Sequence, residues 1–174
     1  MSLVLWNILC WNIRGVNSEP KCLALRNKID ESNCSIVCLQ ETEKEHFDHS
    51  FMRKCCPRRF DKFEYVPSSG ASGGLVIIWC SSQFTGQVLH SYKFALTIKL
   101  TSLVYNQTWN LSNVYGPCEG PERIEFTQWF EAIEIEDEEL WLFMGDFNFM
   151  RSLDNRNREG GNIEDIIKYN EIIS

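Results

Sequence analysis

An α/β domain is the fold class this chain predicts, on three observations. Two apolar runs, residues 3–13 and 35–39, bracket a helical pattern, which makes a β–α–β start. Five short strand-like runs separated by turn residues follow between Phe63 and Val114. A second helical pattern beginning at Pro121 then feeds the apolar run Leu140-Trp141-Leu142-Phe143-Met144.

Each element has a local reason. Asn17-Ser18-Glu19-Pro20 opens the first helix, with proline in the first turn where its missing N–H costs nothing. Cys22, Leu25 and Ile29 are spaced for one buried face, and Ser32-Asn33 closes the helix. The strands on either side of such a crossover are expected to be parallel neighbours. Residues 43–62 are polar and irregular and predict a short helix with a basic loop. Strands are expected at Phe63–Val66, Gly74–Cys80, Gln87–His90, Ala95–Leu103 and Thr108–Val114, with a flexible turn at 69–74. Phe126, Trp129, Phe130 and Ile133 give the second helix one apolar side. Asn162 caps a last helix that carries Ile163, Ile166, Ile167 and Ile173. At 174 residues the chain fits one domain with a sizeable core.

Composition narrows the function classes. Hydrophobic residues make up 44% and charged residues 24%, ordinary for a globular chain. A net charge of −7 argues against polyanion binding by bulk electrostatics, but the charge is uneven. Residues 119–139 hold nine acidic side chains against Arg123, whereas 53–62 hold Arg53, Lys54, Arg58, Arg59 and Lys62 against Asp61. The eight cysteines sit mostly in apolar runs without framework spacing and are expected to be buried, reduced thiols. Met1–Leu5 lacks a basic flank, so no signal peptide is expected, and no run reaches bilayer-spanning length. An intracellular monomer, nuclear or cytoplasmic and not secreted, is the expectation.

The chemistry gathers at strand ends. Gly145-Asp146-Phe147-Asn148 closes an apolar strand with a carboxylate and a carboxamide two residues apart, so both leave on the same side. Such an Asp can hold or deprotonate a water, and such an Asn can donate to a phosphate oxygen. Two earlier strands end alike, in Trp11-Asn12-Ile13-Arg14-Gly15 and Cys38-Leu39-Gln40-Glu41-Thr42, and Tyr115 follows in Asn113-Val114-Tyr115-Gly116-Pro117. Taken singly, Asn12 fits a turn cap, Glu41 a helix-start acid and Tyr115 turn packing. Their joint order is what points to a site. His46 and His49 with Glu43 and Glu45 have metal-ligand spacing, but a solvated face explains them without a second ligand pair. His90 reads as structural.

In that order, these motifs resemble the endonuclease/exonuclease/phosphatase superfamily, the fold of apurinic-site endonucleases. With Ser72-Gly73-Gly74-Leu75 and Arg158-Glu159-Gly160-Gly161 added, the chain looks similar to the endonuclease domain of plant LINE-type non-LTR retrotransposons. The resemblance covers nearly all of the 174 residues. It implies a four-layered α/β sandwich, two facing mixed sheets flanked by helices. It also implies Mg²⁺-dependent phosphodiester hydrolysis of DNA, with Mn²⁺ able to substitute. Glu41 and Asn12 would hold the metal, Asp146 would orient or deprotonate the attacking water, and Asn148 and Tyr115 would bond the scissile phosphate. Arg14 and Arg158 would contact substrate. Arg14 stands where some apurinic-site enzymes have an Asp, which separates this chain from their abasic-site specificity.

The family's closing Asp-His ending has no counterpart in the 174 residues, since no His follows His90. The resemblance therefore implies a domain incomplete at its C-terminus. The apolar faces of Leu75–Trp79 and of the helix carrying Ile166 and Ile167 are expected to be under-covered. Arg151, Arg156 and Arg158 are the substitutes to consider for the missing phosphate-stabilising group. Three functions stay open: an active endonuclease, a non-catalytic relic of one, and a superfamily phosphatase acting on inositol phosphates or lipids.

Overall fold

The computed structural model describes residues 6–70, 73–155 and 162–174. The chain forms two compact units, one running up to Tyr115 together with Glu138–Asp146, the other comprising Gly116–Asp137 and Phe147–Ser174.

In the first unit, β1 (Ile8–Asn12), α1 (Glu19–Ser32) and β2 (Ile36–Gln40) make the expected β–α–β element, with β1 and β2 parallel. After α2 (His49–Cys55) come β3 (Lys62–Val66) and β4 (Leu75–Trp79), which complete a sheet of order β1-β2-β4-β3. β5 (Phe84–Tyr92), β6 (Ala95–Ser102), β7 (Thr108–Tyr115) and β8 (Trp141–Asp146) form the second, in that order. Its first three strands are antiparallel and β7–β8 is parallel. Both sheets are thus mixed, as the resemblance implies. β5 begins three residues earlier than the sequence pattern places it and carries a bulge between Val88 and His90. It is an edge strand with a largely exposed surface, so no apolar alternation marks its start.

Ile36, Cys38, Leu75 and Ile77 meet Leu96, Ile98, Leu100 and Leu111 between the sheets. The alternate residues Val37, Leu39, Val76 and Ile78 turn the other way and pack with Leu25, Ile29 and Met52 of α1 and α2. β4 is therefore buried on both faces, and its expected under-coverage does not occur. Leu75-Val76-Ile77-Ile78-Trp79 is a continuous apolar run, the signature of a strand covered on both sides. Exposed apolar surface falls instead on the edge strand β8, where Leu140 before it and Leu142 within it are 65% and 41% exposed.

The cysteine expectation needs one correction. Cys22 of α1 and Cys55 of α2 are joined as a disulfide, their Cα atoms 4.4 Å apart, within bridging range. The pair is 33 residues apart in sequence, so only helix packing reveals it. The other six cysteines are free. Burial pushes the Cys56 thiol up to about 12 and the Cys80 thiol to about 11, which keeps both protonated and unreactive at neutral pH. Brief iodoacetamide treatment of the native protein is accordingly expected to modify exposed Cys118 and spare Cys34, Cys38, Cys56 and Cys80, as read by peptide mass spectrometry. Rapid labelling of Cys56 or Cys80 would contradict this packing.

The second unit holds α3 (Glu122–Glu131), a 3-10 turn at Leu153–Asn155 and α4 (Ile163–Ile172). Phe126 is fully buried among Phe130, Phe147 and Phe149, and Tyr169 of α4 stacks on Phe149 at 5.3 Å. Arg123 ties the unit together. Its guanidinium pairs with Asp165, donates to the carbonyls of Pro117, Cys118 and Asn148, and lies 3.9 Å over the Phe149 ring. Ile163 and Ile167 stay 59% and 53% exposed, so the expected uncovered face on this helix is present. Among the described residues no helix is long and apolar enough to cross a membrane.

Candidate active site

The two parallel strand pairs bring the candidate residues together. In the β1–β2 register Asn12 stands beside Gln40, so Glu41 leaves β2 next to it. In the β7–β8 register Tyr115 stands beside Asp146. Asn12 joins the two pairs. Its Nδ2 donates to Glu41 Oε1 at 2.8 Å and to Asp146 Oδ2 at 3.0 Å. One carboxamide thus holds two carboxylates that are 105 residues apart in sequence, from strands of different sheets. The sequence pattern placed all four at strand ends, and the four meet in the first unit.

The backbone around Glu41 is held tightly. Glu41 itself has φ 51°, and Arg14 and Glu43 have φ 50° and 53°, all left-handed. Non-glycine residues avoid this region, and where they occupy it at a cleft the surrounding structure must over-determine them. Here it does. Gly15 N donates to Glu41 O at 2.7 Å, Val16 N to Thr42 O, Thr42 N to Gly74 O and Glu43 N to Gly73 O. A Cβ on Gly74 would collide with Thr42 Oγ1, whereas Gly73 has open space around it and is favoured by its positive φ of 77° alone.

A second brace escaped the sequence reading. Gln40, 1% exposed, donates to Asn113 Oδ1, while Asn113 Nδ2 donates to Leu39 O at 2.9 Å and Val76 O at 3.0 Å. This satisfied polar network crosses between the sheets directly beneath Glu41 and Tyr115. The available signal was a Gln and an Asn, each one or two residues before a site residue, Gln40 closing the apolar run Ile36–Leu39 and Asn113 standing in a strand that mixes polar and apolar residues.

Each of the remaining candidates has its own surroundings. Asn148 lies in the second unit with φ 53°, its Nδ2 donating to Gly116 O at 2.7 Å. Arg14 is exposed in the loop after β1. Arg151 bonds Asn170. Arg158, Arg156 and the Arg158–Gly161 run lie outside the described residues. His49 rests its edge on Phe63, and His90 stacks parallel to Trp141.

The donor set fits a hard divalent cation. Two carboxylates flank one amide, and carboxylate and amide oxygens are the donors such an ion takes. Asn12 Oδ1 is buried without a hydrogen-bond partner, an unsatisfied acceptor that a cation or its water would satisfy. Among the described residues no three His, Cys, Asp or Glu side chains cluster. Mg²⁺ is commonly bound by one or two carboxylates with water and substrate phosphate, and Glu41 and Asp146 are two such carboxylates.

Residues 9–165 match the model of the Endonuclease/Exonuclease/phosphatase family. The chain belongs to that family. No curated protein sequence matches it. Among solved structures, the AP endonuclease LMAP from Leishmania major is similar over 97% of this chain, at 16% identity and a TM-score of 0.71. The endonuclease domain of TRAS1, a telomere-specific non-LTR retrotransposon, is similar over 96%, at 11% identity and 0.68. The mannosyl-6-phosphatase Bt3783 of Bacteroides thetaiotaomicron is similar over 83%, at 10% identity and 0.60. This family member spans 66%, 72% and 66% of the respective chains. At these identities the likeness shows the shared fold of nucleases and phosphatases alike.

Proposed function

We propose that this chain carries the site of a Mg²⁺-dependent phosphodiesterase that nicks DNA, as a retrotransposon-type endonuclease does. The observation that carries the reading is the single amide of Asn12 gripping both Glu41 and Asp146 at the converged strand ends. In this reading Asp146 takes the proton of the attacking water, and Asn12 holds its carboxylate in place. Tyr115, next to Asp146 in register, donates a hydrogen bond to a non-bridging phosphate oxygen as charge builds there. Asn148 and Arg14 contribute further phosphate contacts, and Arg158 binds flanking substrate. Mg²⁺, or Mn²⁺ in its place, held at Glu41 and Asn12, supplies charge neutralisation on the phosphate. The likeness to LMAP and TRAS1 supports a DNA substrate, and the intracellular, monomeric state belongs to the same proposal.

Calorimetry tests the metal half. Glu41→Gln is expected to abolish Mg²⁺ binding, because the carboxylate's charge offsets the cost of dehydrating the ion. Equal Mg²⁺ titration curves for wild type and variant would remove Glu41 as the ligand.

A further inference from the structure

A cavity of about 450 Å³ opens in the first unit between the start of α1 and α2, a volume within the ordinary range of ligand pockets. Arg26, Lys44 and Lys54 line it against the one carboxylate of Glu19, with Ser18 and Phe51 completing the wall. Each cation is placed. Arg26 donates to Arg53 O at 2.6 Å and Lys54 O at 3.2 Å, and Lys44 Nζ lies 4.2 Å over the Phe51 ring. Among the described residues none of the three is paired with a carboxylate. Three cations sharing one concavity repel one another, which an anionic ligand relieves. The rest of the basic segment is engaged differently. Arg59 pairs with Asp30 and Arg53 bonds Arg58 O, so Lys54 is its member that serves the cavity.

The cavity is joined to the strand-end cluster through its rim. Asn17, which lines it, donates to Glu43 O at 3.1 Å, and Gly15 N donates to the carbonyl of Glu41 itself. We propose that this cavity binds backbone phosphates of a polynucleotide strand, on the stretch flanking the phosphodiester held at Glu41 and Asp146. The substrate is then a polymer and not a small phosphate ester, because only a chain with regularly spaced phosphates reaches both places. Lysines in this role act as point charges on the backbone and carry no base specificity. The position of the bound stretch relative to the cut rests on the phosphodiesterase reading; the binding itself does not.

The test is fluorescence anisotropy with a fluorescein-labelled 20-base-pair DNA duplex in EDTA, so binding is read without hydrolysis. Taking one lysine away from a phosphate should lower the log–log salt slope by about 0.9. Lys44→Gln/Lys54→Gln is expected to reduce the slope by about 2 and to weaken binding at least about tenfold. Lys44→Arg/Lys54→Arg should restore both. If the double Gln variant melts early, Lys54→Gln alone, at an exposed position, decides on a slope change of about 1. Absence of duplex binding by the wild type, or an unchanged slope and affinity in the Gln variants, overturns the proposal. A slope change with no Mg²⁺-dependent hydrolysis would uphold the cavity while removing the phosphodiesterase reading.

Discussion

Asp146→Asn is expected to lower Mg²⁺-dependent phosphodiester hydrolysis by about 10²–10⁴-fold, the range a positioned general base contributes. The substitution is nearly isosteric, and an Asn carbonyl can still accept from Asn12 Nδ2, which now reaches Asp146 at 3.0 Å. What disappears is the charge and the basicity. Supercoiled plasmid nicking and turnover of bis(p-nitrophenyl) phosphate read the loss, and a thermal melt close to wild type shows that the fold survives. Wild-type turnover in the variant would remove Asp146 from the chemistry. A melt lowered in step with activity would make it a structural residue instead.

Much of this site was legible because its residues announce strand ends. Asn12, Glu41 and Asp146 each follow an apolar run and Tyr115 follows an expected strand, and a strand end is one of the few places a sequence localises a side chain in space. The direction of the contacts was not legible. Sequence reasoning placed Asn12 beside Glu41 but left open which end of its amide serves which neighbour: the donor nitrogen faces both carboxylates, and the oxygen is buried without a hydrogen-bond partner. Which end of an amide points inward depends on neighbours 134 residues away in the chain. Gln40 and Asn113 were hidden for a related reason. A buried polar residue in a strand declares that it has a partner but not which one, and theirs lie on the facing sheet.

The fold was legible where periodicity was strong. β4 and α1 appear within a residue or two of their expected spans, since an unbroken apolar run and a capped helical repeat have few alternative readings. Coverage was misjudged because the sequence treats exposure as a property of the missing neighbour. Leu75–Trp79 lies in the middle of its sheet, sealed by α1 and α2 on one side and the second sheet on the other. The uncovered residues lie at an edge, on β8, and on α4, positions that only strand order and helix packing assign. The Cys22–Cys55 bridge belongs to the same class of fact.

Gly145→Ala is expected to be the most destabilising single substitution beside the site. Gly145 pairs with Val114 in the β7–β8 ladder and has φ 142°, a region L-residues rarely adopt. A Cβ there would stand 1.9 Å from Val114 O and 2.8 Å from Val114 N, so backbone and not a flexible side chain must move. The displaced strands are those ending in Tyr115 and Asp146, one residue on, and the contact to Asn12 goes with them. Strain of this kind costs about 3 kcal/mol or more, roughly 6–12 °C in Tm for a chain of this size. Gly120→Ala is the matched comparison. It too has positive φ, 83°, but no atom lies within 4 Å of its Cβ, so its loss should stay near 1 kcal/mol. Thermal and urea unfolding of the two variants side by side would separate backbone collision from φ strain. Equal melting of G145A and G120A would show that β7 and β8 can part at Val114 without penalty, and the tight placement of Asp146 argued from this ladder would be wrong.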